Sequence, residues 1–172
     1  MSFTNRRIAF AGTLAAVYAA VTLLTASFAY GPVQFRIAEA LSVFCCFTPT
    51  AVVGMFIGCM AANLASTVSP MDIVVGSFAT LLAGLITWAM SRRIEEKRSL
   101  VWLVPLPTVL CNAVLVGAEI AVFSDEQAFL PGWLANGLSV GAGEAAVLYA
   151  LGVPLLFYLL KNAGLVRELR ER

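Results

Sequence analysis

Histidine is absent from the 172 residues of this chain. Without an imidazole, zinc-protease chemistry and Ser-His or Cys-His nucleophile pairs are excluded. Charge is scarce too: Asp, Glu, Lys and Arg make up 12% of the chain, against roughly 25% in soluble domains. There is no G-x-x-x-x-G-K-[ST] phosphate loop, so the chain cannot hydrolyse ATP by itself. The four cysteines, Cys45, Cys46, Cys59 and Cys111, have no C-x-x-C spacing and lie in apolar runs. Neighbours Cys45 and Cys46 point to different helix faces, so the sequence predicts small buried hydrophobes and no disulfide framework. The paired halves expected of an inverted-repeat transporter are also missing. No metal, cofactor or nucleic-acid partner is expected.

Apolar residues are abundant. They form 60% of the chain, and the mean hydropathy is +0.90. These values indicate an all-α integral membrane protein with one domain over residues 1–172. Six apolar segments stand out, at about 8–29, 35–48, 50–66, 72–90, 101–123 and 133–160. The N-terminal run is longer than a signal-peptide core and ends without an A-x-A cleavage pattern, so it is expected to remain as the first span. The segment 35–48 is the weak one. At about 1.5 Å per residue it covers roughly 20 Å of a hydrocarbon core near 30 Å, so it either spans steeply or forms a re-entrant hairpin with the third segment. The last segment is long, and Gly152 and Pro154 in it predict a kink or a tilt. If the N-terminus is cytoplasmic, Arg36 is the one outside member of the 11 Lys and Arg residues. The positive-inside rule therefore places both termini in the cytoplasm.

The intramembrane polar residues gather toward the outer side. Arg36 and Glu39 open the second segment, Asn63 closes the third, Asp72 starts the fourth, Glu119 ends the fifth and Asn136 starts the sixth. Asn112 and Glu144 lie deeper. A charge at the bilayer centre costs roughly 2.5–3.5 kcal/mol on insertion scales, so such groups face one another, water or a ligand. Arg36 before Glu39 is a poor order for an intrahelical pair, because a cation in a first turn opposes the helix dipole. The order favours an Arg held for a planar partner, either another carboxylate or a ligand oxygen. Tyr30, Phe35, Phe123, Phe129 and Trp133 gather at the same end, as an interfacial belt or, for one or two, as stacking surfaces. Ala11, Ala15 and Ala19 make a small-residue stripe that lets another helix approach closely, inside the chain or on a partner. "GLSVGAGEA" at 137–145 follows no strand, so Gly137, Gly141 and Gly143 read as close-packing positions.

The blocks "YGPVQFRIAEAL", "ANLAS", "DIVVGSFATLLAGLIT", "PLPTVLCNAVLVGAE" and "NGLSVGAGEA" together resemble the QueT family from end to end. The resemblance implies a six-transmembrane-helix S-component bundle, the substrate-binding subunit of an energy-coupling factor (ECF) transporter for precursors of queuosine. It also implies a transmembrane T component and two cytoplasmic ATPase subunits as partners, with Ala11, Ala15 and Ala19 as the docking face. Ala38 stands where the family leads one to expect Ser, and Cys45-Cys46 where aromatic or aliphatic residues are usual. The candidate substrate-binding residues are Arg36, Glu39, Asn63, Glu119, Asn136 and Glu144, with Tyr30, Gln34 and Phe35. The carboxylates suit the adjacent N–H donors of a 7-deazaguanine base, and a second acid suits an aminomethyl cation. The rivals are an S component for another vitamin-like solute, a small proton-coupled carrier, and an intramembrane enzyme using Glu119 or Glu144 as base.

Overall fold

The computed structural model describes residues 3–29, 33–66, 71–96, 98–123 and 128–170. Among them there is no strand. Helix α1 spans Phe3–Leu24 and is followed by the single turn α2, Ala26–Ala29. A 3₁₀ helix, Ile37–Cys46, leads to α3, Pro49–Asn63. Then come α4, Asp72–Glu96, a short 3₁₀ helix, Arg98–Leu103, and α5, Leu106–Phe123. Helix α6, Phe129–Val147, runs through a π turn, Leu148–Gly152, into α7, Val153–Lys161, and α8 is Ala163–Arg170.

Four stretches are long and apolar enough to cross a membrane: Thr4–Leu24, Asp72–Ser91, Ser99–Phe123 and Phe129–Lys161. They coincide with four of the six segments expected from sequence. The other two are shorter helices, Ile37–Cys46 and Pro49–Asn63. The outside of the bundle is apolar, with Leu24 86% and Leu138 75% exposed, while Arg36, Glu39, Asp72 and Glu144 are at most 1% exposed. Greasy outside and charged inside is the arrangement a bilayer demands, since lipid offers ions no solvation.

The 3₁₀ helix is the centre of the molecule. It touches α1, α3, α4, α6, α7 and the π turn. Its steeper rise, about 2.0 Å per residue against 1.5 Å, lets ten residues cover roughly 20 Å. Glu39 bonds to Tyr18 at one end, and the Phe44 ring meets Phe10 edge to face at the other, with centroids 6.3 Å apart. The segment therefore runs back along α1, antiparallel to it, and delivers the chain to the start of α3. There Thr48 caps the helix by accepting from Thr50 N at 3.3 Å, and Pro49 occupies the first turn, where its missing N–H costs nothing.

Helices α1 and α3 consequently run parallel and very close. A Cβ on Gly54 would sit 2.9 Å from the Ala11 carbonyl oxygen, and one on Gly58 would sit 2.8 Å from that of Ala15. This bears on the inner side of the alanine stripe. Ala11 and Ala15 face α3 within the chain, and Ala19 is half-buried, so part of the stripe packs intramolecularly. Gly12, Ala16 and Ala20 are exposed small residues at four-residue spacing on α1. Gly58→Val is expected to wedge the two helices apart and cost about 1–3 kcal/mol of stability. A thermal melt in detergent unchanged from wild type would refute this packing.

Pro154 lacks an N–H and crowds the carbonyl four residues earlier; the π turn Leu148–Gly152 is where the helix accommodates it. The π turn lies in the stretch where a kink or a tilt was expected. Cys45 and Cys46 enter different apolar clusters, and the four cysteines are buried with no disulfide among the described residues. Helix α8 folds back so that Leu169 joins Val43, Phe47, Ile94, Val101 and Leu156 at the end where α1 begins.

Candidate substrate site

Residues 34–36 enter the molecule as extended chain, which sends alternate side chains to opposite sides. Gln34 and Arg36 point inward, each 1% exposed, while Val33 and Phe35 point outward at 42% and 38%. Phe35 belongs to an apolar outer groove with Phe28, Ile37, Ala146 and Val147, so it does not line the polar interior. Helix α6 comes so near this extended segment that a Cβ on Gly143 would overlap the Gln34 carbonyl oxygen.

Arg36 meets α4 at once. Its Nη2 donates to Asp72 Oδ1 at 3.1 Å and Oδ2 at 3.3 Å. Ser66 Oγ donates to Asp72 Oδ2 at 2.6 Å, and Asn63 Nδ2 donates to the Asp72 carbonyl oxygen at 2.8 Å. The knot lies over Gly76, where a Cβ would come within 2.6 Å of Asp72 Oδ1 and 2.7 Å of Asn63 Nδ2. The end of α3, the start of α4 and the entry to the 3₁₀ helix are thus tied together through one buried carboxylate. Of the two partners open to Arg36 in sequence, the structure supplies the carboxylate.

One turn further in, Glu39 Oε1 accepts from Tyr18 Oη at 2.6 Å and Thr80 Oγ1 at 3.2 Å. Thr80 is eight residues beyond Asp72, two helical turns along the same face of α4. Cys59 Sγ accepts a weak hydrogen bond from Asn63 Nδ2 at 3.5 Å and lies 3.3 Å from Thr80 Oγ1, whose single proton it shares with Glu39, so this cysteine links the two clusters as well as filling space. On the side of α5 and α6, Asn112 Nδ2 donates to Glu144 Oε1 at 3.1 Å, joining the two helices. Glu144 interacts electrostatically with both Glu39 and Arg36. Three clusters, on six helical elements, thus share one interior.

Of the residues suggested by sequence, Gln34, Arg36, Glu39, Asn63 and Glu144 enter this interior. Glu119 is 5% exposed and lies seven residues from Asn112, on the same side of α5. Asn136 is half-buried, with its backbone against Gly117 and two turns from Glu144 along α6. Tyr30 lies outside the described residues. Phe129 and Trp133 stack on one another at the surface with centroids 6.0 Å apart. Tyr18 and Thr80 were not found from sequence, because a Tyr and a Thr in apolar helices carry no periodic signal of their own. Asp72 and Asn112 were visible as intramembrane polar groups but not as members of the site. Among the described residues no three Cys, Asp or Glu side chains converge as metal ligands.

The QueT transporter family model matches residues 8–161, which contain every one of these groups. The chain belongs to the QueT family. It is also 34% identical over 71 residues to the queuosine precursor transporter QueT of Lactococcus lactis subsp. cremoris (strain MG1363). That alignment covers 40% of this chain and 41% of the relative, so the chain spans about two-fifths of the length of the curated relative it matches. No solved structure matches the chain.

Proposed function

We propose that this QueT-family chain is the substrate-binding S component of an ECF transporter and that it captures a 7-deazaguanine precursor of queuosine outside the cell. The observation that carries the reading is the convergence of Glu39 and Glu144 on one buried interior, with Arg36 held beside them by Asp72. A deazaguanine edge offers two adjacent N–H donors and a carbonyl acceptor. Glu39 suits the donors, because Tyr18 and Thr80 both bond to Oε1 and hold the carboxylate in one rotamer. The guanidinium of Arg36 or the amide of Asn63 suits the carbonyl. Another flat vitamin-like solute would need the same flatness but not this acidic edge.

The other end of the bundle carries Arg6, Arg7, Arg93, Lys161, Arg167 and Arg170 on described helices. In the bilayer this end faces the cytoplasm, which turns the Arg36–Asp72 end outward. A separate T component and two ATPases supply the energy. Docking uses the exposed Gly12, Ala16, Ala20 side of α1, where a partner helix can come close. Ala16→Trp is expected to abolish copurification with a T component and keep ligand binding. Ala15→Trp, which strikes Gly58, is expected to lower stability instead. Copurification that survives Ala16→Trp would remove this docking face.

Equilibrium binding of labelled deazaguanine bases to the purified chain tests the main reading. Micromolar or tighter affinity is expected, falling at least about 30-fold in Glu39→Ala, the cost of leaving a bidentate edge unmatched. Tight binding of a riboflavin-like or biotin-like ligand in place of the bases would redirect the reading to another solute. Uptake by the chain alone, driven by a pH gradient in liposomes, would replace it with a proton-coupled carrier.

A further inference from the structure

The chain turns sharply where it leaves its last apolar stretch. Phe129–Lys161 is long enough to cross a bilayer, and α8, Ala163–Arg170, begins after the single residue Asn162. Asn162 leaves helical geometry, at φ −104° and ψ 83°, and its Nδ2 donates to the Tyr158 carbonyl oxygen at 2.8 Å, so a side chain holds the turn. A short helix that starts where a span ends and folds back on the bundle lies at the level of the lipid headgroups.

The two flanks of α8 differ in charge. On one, Leu165, Glu168 and Leu169 meet Phe10, Phe44 and Leu159 around an apolar cleft. On the other, Leu160, Ala163 and Val166 line a cleft of about 390 Å³ together with Arg167 and Arg170. Acid and base are thus sorted to opposite sides of one helix. Leu160 and Val166 are half-buried against the core, whereas both arginines are exposed. Residues three apart are neighbours on a helix surface, so the two guanidiniums serve one cleft.

This combination selects its occupant. A soluble anion would use the arginines and leave the apolar wall in water, and a bare hydrocarbon would use the wall and leave the arginines unmatched. A phospholipid with net negative charge uses both. Guanidinium offers parallel N–H donors that match phosphate oxygens, and the aliphatic wall takes the start of an acyl chain. A zwitterionic lipid brings a cation of its own, which the arginines repel.

We propose that the cleft between α7 and α8 binds an anionic phospholipid, with its phosphate on Arg167 and Arg170 and its acyl chain against Leu160, Ala163 and Val166. The bound lipid pins α8 over the end of the bundle, where Leu169 joins Val43, Phe47 and Leu156. The site lies at the opposite end from the Arg36–Asp72 knot. It needs a bilayer and no particular solute, so it stands or falls apart from the deazaguanine reading.

The test titrates the full chain, purified in a neutral detergent, with dioleoylphosphatidylglycerol, dioleoylphosphatidylcholine and inorganic phosphate, and counts bound lipid by native mass spectrometry. Phosphatidylglycerol is expected to bind about 30-fold more tightly than phosphatidylcholine, the weight of two basic residues beside a headgroup. Arg167→Gln with Arg170→Gln is expected to bring that ratio near one. Arg6→Gln with Arg7→Gln, exposed on α1 at the same end, is expected to leave it unchanged. Ala163→Trp keeps both charges but fills the cleft; it is expected to weaken both lipids about tenfold, and it decides the question should the double arginine variant not fold. No preference in the wild type, an equal loss in the α1 pair, or lipid binding untouched by Ala163→Trp overturns the site, since charge would then act diffusely or not at all. Displacement of the lipid by inorganic phosphate at equal concentration overturns the lipid as occupant and leaves a free-anion site.

Discussion

Asp72→Asn is expected to destabilise the protein by about 3–5 kcal/mol, the range for breaking a buried ion pair from one side, and to abolish ligand binding. Arg36 would keep its charge inside the bilayer and lose the carboxylate that holds Nη2 at 3.1 and 3.3 Å. Glu39 and Glu144 are the acids near enough to attract it. A guanidinium drawn to them would fill the space and charge reserved for the ligand. Losses of stability and of binding should therefore appear together. The double variant Arg36→Met, Asp72→Leu separates the two, since replacing a whole buried pair by apolar groups is often neutral. Much of the thermal stability in nanodiscs should return while affinity does not. A single variant with wild-type melting and wild-type affinity would show that the knot is neither a strut nor part of the site.

The pairing of Arg36 with Asp72 also marks how far the sequence could be read. Both residues were visible as polar groups in apolar surroundings, and the poor order of Arg36 before Glu39 pointed to a partner beyond their own helix. That the partner was Asp72, 36 residues away, depends on how α4 packs against the 3₁₀ helix, which no local pattern encodes. The four long spans were legible because about 20 apolar residues have few other uses. The segment 35–48 was legible as a problem of length. Its solution, a ten-residue 3₁₀ helix with buried residues on every side, was not, since runs beyond three or four residues are uncommon. Pro154 announced a kink or a tilt, and the π turn lies just before it. The alternation in Val33, Gln34, Phe35 and Arg36 was present in the sequence and could have set Phe35 outside; grouping aromatic residues by their depth in the membrane obscured it. Ala11 and Ala15 went to α3 for a similar reason: a small-residue stripe reveals close approach but not to what, and the matching glycines, Gly54 and Gly58, lie in the short third segment.

Gly143→Ala is expected to weaken ligand binding on the order of 100-fold, equivalent to roughly 2.7 kcal/mol, although the residue touches no ligand in any arrangement proposed here. The reason is steric. Its Cβ would occupy the place of the Gln34 carbonyl oxygen, which belongs to backbone and cannot swing away as a side chain could. The extended segment 34–36 must then move off α6. Gln34 and Arg36 move with it, one on each side of that carbonyl, so Arg36 is pulled from Asp72 while Glu39, anchored by Tyr18 and Thr80, stays behind. The acids and the guanidinium would no longer converge. Gly141→Ala, whose Cβ would lie 3.2 Å from the Ala113 side chain, and Gly12→Ala, with nothing within 4 Å, are the controls and should bind nearly as wild type does. If all three variants bind alike, the extended segment is free to shift without consequence, and the site cannot depend on the rigid placement of Arg36.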